Sequence, residues 1–494
     1  MLRRFIRVAL PTAIIVGLLA WWAYGVLTTQ TDEALRAQRP VWTRCPGSLD
    51  VECATIKVPL DHAAPQEHPI DMALARLPAR HPDQRIGSLV VNYGGPGVSG
   101  VATFIADPEP FNTLRSRYDI VAFDPRGVGR SSPLNCRPKG EPLPYLSVDQ
   151  TPDTPKEREA LVKAVSEYAA ACRRQAGRLV PHLTTDATAR DLDILRSALD
   201  EPELTYFGYS YGGGLGAAYA QLYPSKVRRM VLDAPSASAG GGPETGSPEN
   251  VSDEPIEAFV ADCVKRRGCP LGRDLDQALG RLEEFVKVRD RLPLDVSGGK
   301  LTDALAAAGI SELLYTTDDW PRLRRALADG LKGDGQALYD AAMEFEESEG
   351  FSRDAFTAID CNDTSTRPRT ERIAEAAETA REKAPILGAW LAWTWLRCTG
   401  WDTVSGDAWL ADPTRQIAAI MVVGTVGDPA VPYENVKELR STLSGSVMVT
   451  LKGSSHTAYR TGDRCVNEAV DAYLLDGAIP TADVKCPAAG TRER

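Results

Sequence analysis

The chain has 494 residues, 43% hydrophobic and 25% charged, with 41 Gly and 35 Pro. That balance excludes a disordered, collagen-like or polytopic membrane chain and leaves two or three globular units open. Sixty-seven acidic against 56 basic residues give a net charge of −11, whose field repels polyanions, so nucleic acid is not an expected partner.

Arg3, Arg4 and Arg7 precede an uncharged stretch from Val8 to Leu27, long enough as a helix to cross the hydrocarbon core, and the positive flank places the N-terminus inside. Trp21, Trp22 and Tyr24 sit near its outer end, where amphipathic rings favour the interface. Only Ala23-Tyr24-Gly25 resembles a small-x-small cleavage site. Residues 1–30 therefore read as a signal anchor contacting the membrane or as a signal peptide, and either leaves the rest of the chain extracytoplasmic. Ten cysteines fit that oxidising compartment. None forms a CxxC, and five His are too few to suggest a metal site, so disulfides are expected instead. Nearest-neighbour pairing is the simplest hypothesis: 45 with 53, 136 with 172, 263 with 269, 361 with 398, and 465 with 486.

Five short runs rich in β-branched residues are each followed by Gly or Pro punctuation: Ser88 to Tyr93, Tyr118 to Asp124, Leu204 to Tyr209, Val227 to Asp233 and Ile417 to Gly424. They read as buried parallel strands. Lys156 to Arg173, Ala187 to Leu199 and Gly213 to Leu222 carry helical spacing between them. The alternation predicts an α/β class with a doubly wound, mostly parallel sheet. From Pro235 to about Thr414 it stops, and acidic helical sequence such as Met343 to Glu349 takes its place. The expected organisation is a core over 40–235, a helical cap insertion over 236–414 and the rest of the core over 415–494.

Gly208-Tyr209-Ser210-Tyr211-Gly212 is a G-x-S-x-G pattern entered from a β-type run and followed by a helical stretch. That context predicts the strained turn that exposes a Ser nucleophile. A hydroxyl needs a neighbouring base, and only His456 lies C-terminal to Ser210, in a loop after the expected strand Val447 to Leu451. Asp428 ends the strand that re-enters the sheet, where an acid would hold the His tautomer. Asp402, Asp407 and Asp412 are rivals that no strand delivers. After the first strong strand, Asn92-Tyr93-Gly94-Gly95-Pro96-Gly97 offers backbone N–H groups to a developing oxyanion. Gly95 is the first choice and Gly94 the alternative, with the N–H of Tyr211 as the second donor. In the next turn, Arg126 reads as a residue that ties loops together.

These motifs in this order, with Phe123-Asp124-Pro125-Arg126-Gly127, Asp360-Cys361-Asn362-Asp363 and Arg397-Cys398-Thr399-Gly400-Trp401, resemble the tripeptidyl aminopeptidase branch of the proline iminopeptidase family, serine peptidases of the α/β-hydrolase superfamily. The resemblance spans about Cys45 to Cys486. It implies the triad Ser210, Asp428 and His456, the oxyanion donors Gly95 and Tyr211, and release of short peptides, often tripeptides, from free N-termini. It implies no metal and no organic cofactor. The chain departs from the family at Asn92 and Tyr93, where relatives often carry His or Pro. Recognition of a substrate ammonium calls for carboxylates, with Asp360 and Asp363 as candidates beside Glu344 and Glu346. Two other functions stay in view: an esterase or lipase using the same triad, and a catalytically silent binding domain. Composition carries no signal for oligomeric state.

Overall fold

The structure, a computed structural model, describes residues 33–48, 50–138, 141–236, 251–347, 350–364, 367, 369–401, 417, 420–461 and 464–488. The expected anchor at 1–30, residues 237–250 and 402–414 of the expected insertion, and with the latter the rival acids Asp402, Asp407 and Asp412, lie outside them. Among the described residues no helix is long and apolar enough to cross a membrane.

The strands are β1 (Thr43–Arg44), β2 (Glu52–Val58), β3 (Ile70–Leu77), β4 (Gly87–Asn92), β5 (Tyr118–Phe123), β6 (Leu204–Tyr209), β7 (Val227–Asp233), β8 (Leu294–Val296), β9 (Gly299–Leu301), β10 (Ile420–Thr425), β11 (Val447–Leu451) and β12 (Val484–Cys486). All but the β8–β9 hairpin join one sheet in the order β1-β2-β3-β5-β4-β6-β7-β10-β11-β12. From β5 to β12 every neighbour is parallel, whereas β1, β2 and β3 are antiparallel and β3 joins β5 antiparallel. The parallel strands match the continuous apolar runs, and β4, β5 and β10 are buried along their whole length. The edge strands lacked that signal. In β2, beyond its short pairing with β1, the second half alternates buried with exposed residues, as a strand facing water on one side does.

Helices cover both faces. Gly100–Ala106 and Arg464–Asp476 close one face over Val91, Phe207 and Val423, while Pro155–Ala176, Thr185–Ala198, Tyr211–Leu222 and Tyr433–Ser441 close the other over Val90, Tyr206 and Val422. Local chemistry sets their starts: Thr154 and Glu157 form a capping box around Pro155. Between β7 and β10 the described chain is helical apart from the hairpin, and Ile256, Phe259, Leu282, Ile310 and Leu323 build a separate core there. The helix Arg353–Asp363 departs from that unit. It is buried along its length, and its Ala355 and Ile359 pack into the core of the sheet.

All five nearest-neighbour disulfides are present. Arg126 ties loops as its position suggested. Its guanidinium is fully buried, 2.6 and 2.8 Å from the Asp191 oxygens, and donates to the carbonyls of Pro59, Leu60 and His182. His62 contacts the same carboxylate at 2.8 Å. Removing one partner of such a pair leaves a buried charge uncompensated. Arg126→Met is therefore expected to lower the unfolding free energy by about 3–5 kcal/mol in urea titrations; a loss below about 1 kcal/mol would show that water or His62 replaces the guanidinium.

Candidate active site

Neighbouring strands β4, β6, β7, β10 and β11 end on one edge of the sheet, so the turns that follow them meet there. Ser210 stands between β6 and the helix Tyr211–Leu222 with φ 52° and ψ −122°, a left-handed conformation that a side-chain-bearing residue holds only when its surroundings enforce it. The space is set by glycine. A Cβ on Gly208 would lie 2.2 Å from the Gly212 carbonyl oxygen, and one on Gly94 would lie 2.5 Å from the Tyr209 carbonyl oxygen.

The turn after β4 is fixed by its own sequence. Buried Asn92 accepts the N–H of Gly94 through Oδ1 at 2.9 Å, and Tyr93 stacks on Tyr209 with centroids 6.3 Å apart. The residues that depart from the family pattern thus shape the loop. They also separate the two glycines, because Gly94 spends its N–H on Asn92 while Gly95 lines the cavity with Ser210.

Asp428 follows β10, and its Oδ1 accepts the N–H groups of Ala430 and Val431 at 2.8 and 2.9 Å. His456 follows β11. Its Nδ1 lies 2.9 Å from both Asp428 oxygens, its backbone N–H donates to the Tyr315 carbonyl, and its ring meets Tyr315 edge-on at 5.2 Å. With two carboxylate oxygens facing Nδ1, that nitrogen carries the proton and Nε2 is left to accept one. Burial opposes a charge on the ring, but the adjoining Asp428 and the charge of Asp233 outweigh it and hold the imidazole above its ordinary value.

Ser210, Gly95 and Asp428 line a cavity of about 700 Å³. One wall is apolar, with Phe356, Trp390, Leu391 and Trp393. Asp360 and Asp363 do not line it. Asp360 lies 3.5 Å from Arg397, and Asp363 accepts the N–H and hydroxyl of Thr185 at 2.9 and 2.6 Å. Thr185 in turn meets the Tyr211 hydroxyl at 2.9 Å, so Asp363 braces the turn from below. Burial, with Asp360 and Asp186 nearby, pushes the Asp363 carboxyl up to about 7. Asp360 also approaches Cys361 and Cys398, but both sulfurs are spent in a disulfide, which leaves no thiolate for a metal. Glu344 pairs with Arg322 outside the cavity, and Glu346 lines it but is held by Arg353 at 2.8 Å and by the Tyr145 hydroxyl.

Of the cavity's carboxylates that the sequence did not single out, Glu254 is exposed and Glu434 pairs with Lys437, which leaves Glu312, the last residue of the helix Asp303–Glu312. It lines the cavity, and among the described residues no hydrogen bond or ion pair engages its carboxylate. Burial first, then the charges of Glu344 and Asp319, push it up to about 7.

The description "TAP-like protein" matches residues 384–486, and "alpha/beta hydrolase fold" matches residues 87–296. Over 88% of its length the chain is 31% identical to "Serine protease Hip1" of Mycobacterium tuberculosis, covering 87% of that protein. It is 30% identical to "Tripeptidyl aminopeptidase" of Streptomyces coelicolor over 88% of the chain and 83% of that protein. It is 31% identical to "Carboxylesterase B" of Mycobacterium tuberculosis over 88% and 86%.

Because a Cβ at Gly94 collides with the main chain of Tyr209 and meets a φ of +89°, Gly94→Ala is expected to cost about 1–3 kcal/mol of stability. Chemical denaturation of the two proteins measures it, and equal midpoints would mean that the turn has room to shift.

Proposed function

Because the chain belongs to the tripeptidyl aminopeptidase-like serine peptidases of the α/β-hydrolase superfamily, we propose that it is an extracytoplasmic aminopeptidase that releases tripeptides or other short peptides from free N-termini. Ser210 attacks the scissile carbonyl while His456 Nε2 takes its proton. Asp428 holds the ring and stabilises the imidazolium, and the N–H groups of Gly95 and Tyr211 receive the oxyanion. His456 then returns the proton to the departing amine, and water releases the acyl group by the same route. These steps call for no metal or organic cofactor.

The observation that carries the peptidase reading is Glu312, an unengaged carboxylate in the cavity that contains Ser210. A substrate ammonium supplies the direct ion-pair partner that none of the described residues gives it. It replaces Asp360 and Asp363 in that role, because their carboxylates are committed to Arg397 and Thr185. The helices between β7 and β10 serve as the cap that sets how far the substrate N-terminus lies from Ser210.

Five disulfides support a location outside the cytoplasm. The apolar stretch Val8 to Leu27 would either anchor the protein in the membrane or be removed with a signal peptide. A second reading, carboxylesterase, draws on the apolar wall of Phe356, Trp390, Leu391 and Trp393 and on the similarity to a carboxylesterase.

A tripeptide anilide with a free N-terminus, its N-acetylated twin and a short-chain ester separate the two readings. The free peptide is expected to be the best substrate, with Ser210→Ala abolishing turnover of all three; exclusive turnover of the ester would overturn the peptidase reading. Glu312→Gln is expected to raise KM for the free peptide roughly 10- to 100-fold, the worth of a charged hydrogen bond, and to leave ester hydrolysis nearly unchanged. With its carboxyl near 7, Glu312 is ionised above that pH and neutral below. KM for the free peptide should therefore climb as pH falls through about 7, while KM for the acetylated twin stays level.

A further inference from the structure

One buried residue is bonded both to Ser210 and to the loop that carries His456. Asp233 ends β7 and is fully buried. Its carbonyl accepts the N–H of Ser210 at 2.8 Å, continuing the parallel pairing of β6 with β7 into the nucleophile turn. Its side chain points the other way. The two carboxylate oxygens accept the N–H of Ala458 at 3.0 Å, and Oδ2 accepts that of Tyr459 at 2.8 Å, two and three residues beyond His456. The main chain leaves at once through Ala234, a non-glycine residue at φ 50°, whose N–H bonds Val423 on β10. Asp233 is therefore wedged between three strand ends and cannot shift without moving Ser210 or the His456 loop.

Its charge is uncommon. Among the described residues no Lys or Arg pairs with this carboxylate. Burial pushes its carboxyl up to about 6, against the pull of the Tyr459 and Ala458 N–H groups and of His456, with Asp428 pushing further up. The titratable groups around it are Tyr209 on the adjoining strand, Asp428 and His456 on the facing loops, and Tyr459. Of these only the imidazole of His456 becomes a cation during the reaction.

We propose that Asp233 is a positioning residue for the hydrolytic reaction: its carbonyl sets the Ser210 turn, its carboxylate sets the His456 loop, and its buried negative charge supports the imidazolium together with Asp428. The inference rests on the reading of Ser210 and His456 as the reacting pair. When Ser210 Oγ bonds to the carbonyl carbon and its proton passes to Nε2, the ring gains a positive charge that two carboxylates feel. Asp428 meets that charge by a direct hydrogen bond and Asp233 meets it through space.

The test is the pH profile of ester hydrolysis by wild type and Asp233→Asn, whose amide oxygen still accepts an N–H but carries no charge. The expected result is a roughly 10- to 100-fold lower kcat, the scale of one charge-assisted hydrogen bond, with KM nearly unchanged. The acidic limb of kcat/KM should also move down by roughly 0.5–1 pH unit, because the imidazolium loses a stabilising charge. A limb that stays in place overturns the electrostatic part even if kcat falls, because that pattern belongs to a structural role alone. Should Asp233→Asn not fold, Asp233→Ser takes its place with the same readings. Failure of both to fold assigns Asp233 to the core and overturns the proposal. Inactive wild type would contradict the proposed function itself, whereas active wild type with an unaffected variant would contradict only the role of Asp233.

Discussion

The strained backbone of Ser210 is the constraint on which the rest of the site depends. At φ 52° and ψ −122° the residue cannot hold its own conformation, so its neighbours impose it. The Asp233 carbonyl grips its N–H, Gly94 comes close enough that a side chain would strike Tyr209, and Gly208 lets the first turn of the next helix fold back over β6. Each contact comes from a different strand end. A parallel sheet is the scaffold that brings such ends to one edge in fixed register.

Charge is rationed in the same region. The chain is acidic overall, with a net charge of −11, yet most buried acids near the site are neutralised or braced. Asp428 is held by three N–H groups and by His456, Asp363 by Thr185, and Glu346 by Arg353. Glu312 and Asp233 differ. One faces the cavity with no ion pair among the described residues, and the other faces the His456 loop with backbone donors and a nearby imidazole. A substrate ammonium and a transient imidazolium are the two cations that the proposed reaction brings to them.

Much of this was legible because the signals were local. The apolar runs that became β4, β5, β6, β7 and β10 need only their own residues, and the glycine pattern around Ser210 needs only its own turn. His456 was found by elimination, because a chain with five His offers few bases. Neighbouring cysteines pair across short separations, from 6 to 37 residues. Glu312 and Asp233 were not legible, since their roles come from contacts remote in sequence. Asp233 and Ala458 are 225 residues apart. Asp360 and Asp363 misled for the converse reason: Arg-Asp-Ala-Phe-Thr-Ala-Ile-Asp-Cys-Asn-Asp reads as a polar helix face, but the helix Arg353–Asp363 is buried on all sides and these two acids are spent on Arg397 and Thr185.

The central claim, a Ser210 hydroxyl activated by His456, is tested most directly by mass spectrometric mapping of the protein after exposure to a fluorophosphonate, alongside His456→Ala. The account predicts one adduct per chain, on Ser210, formed at least about 1000-fold more slowly without the imidazole. An adduct on another residue, or equal labelling rates in the two proteins, would contradict it.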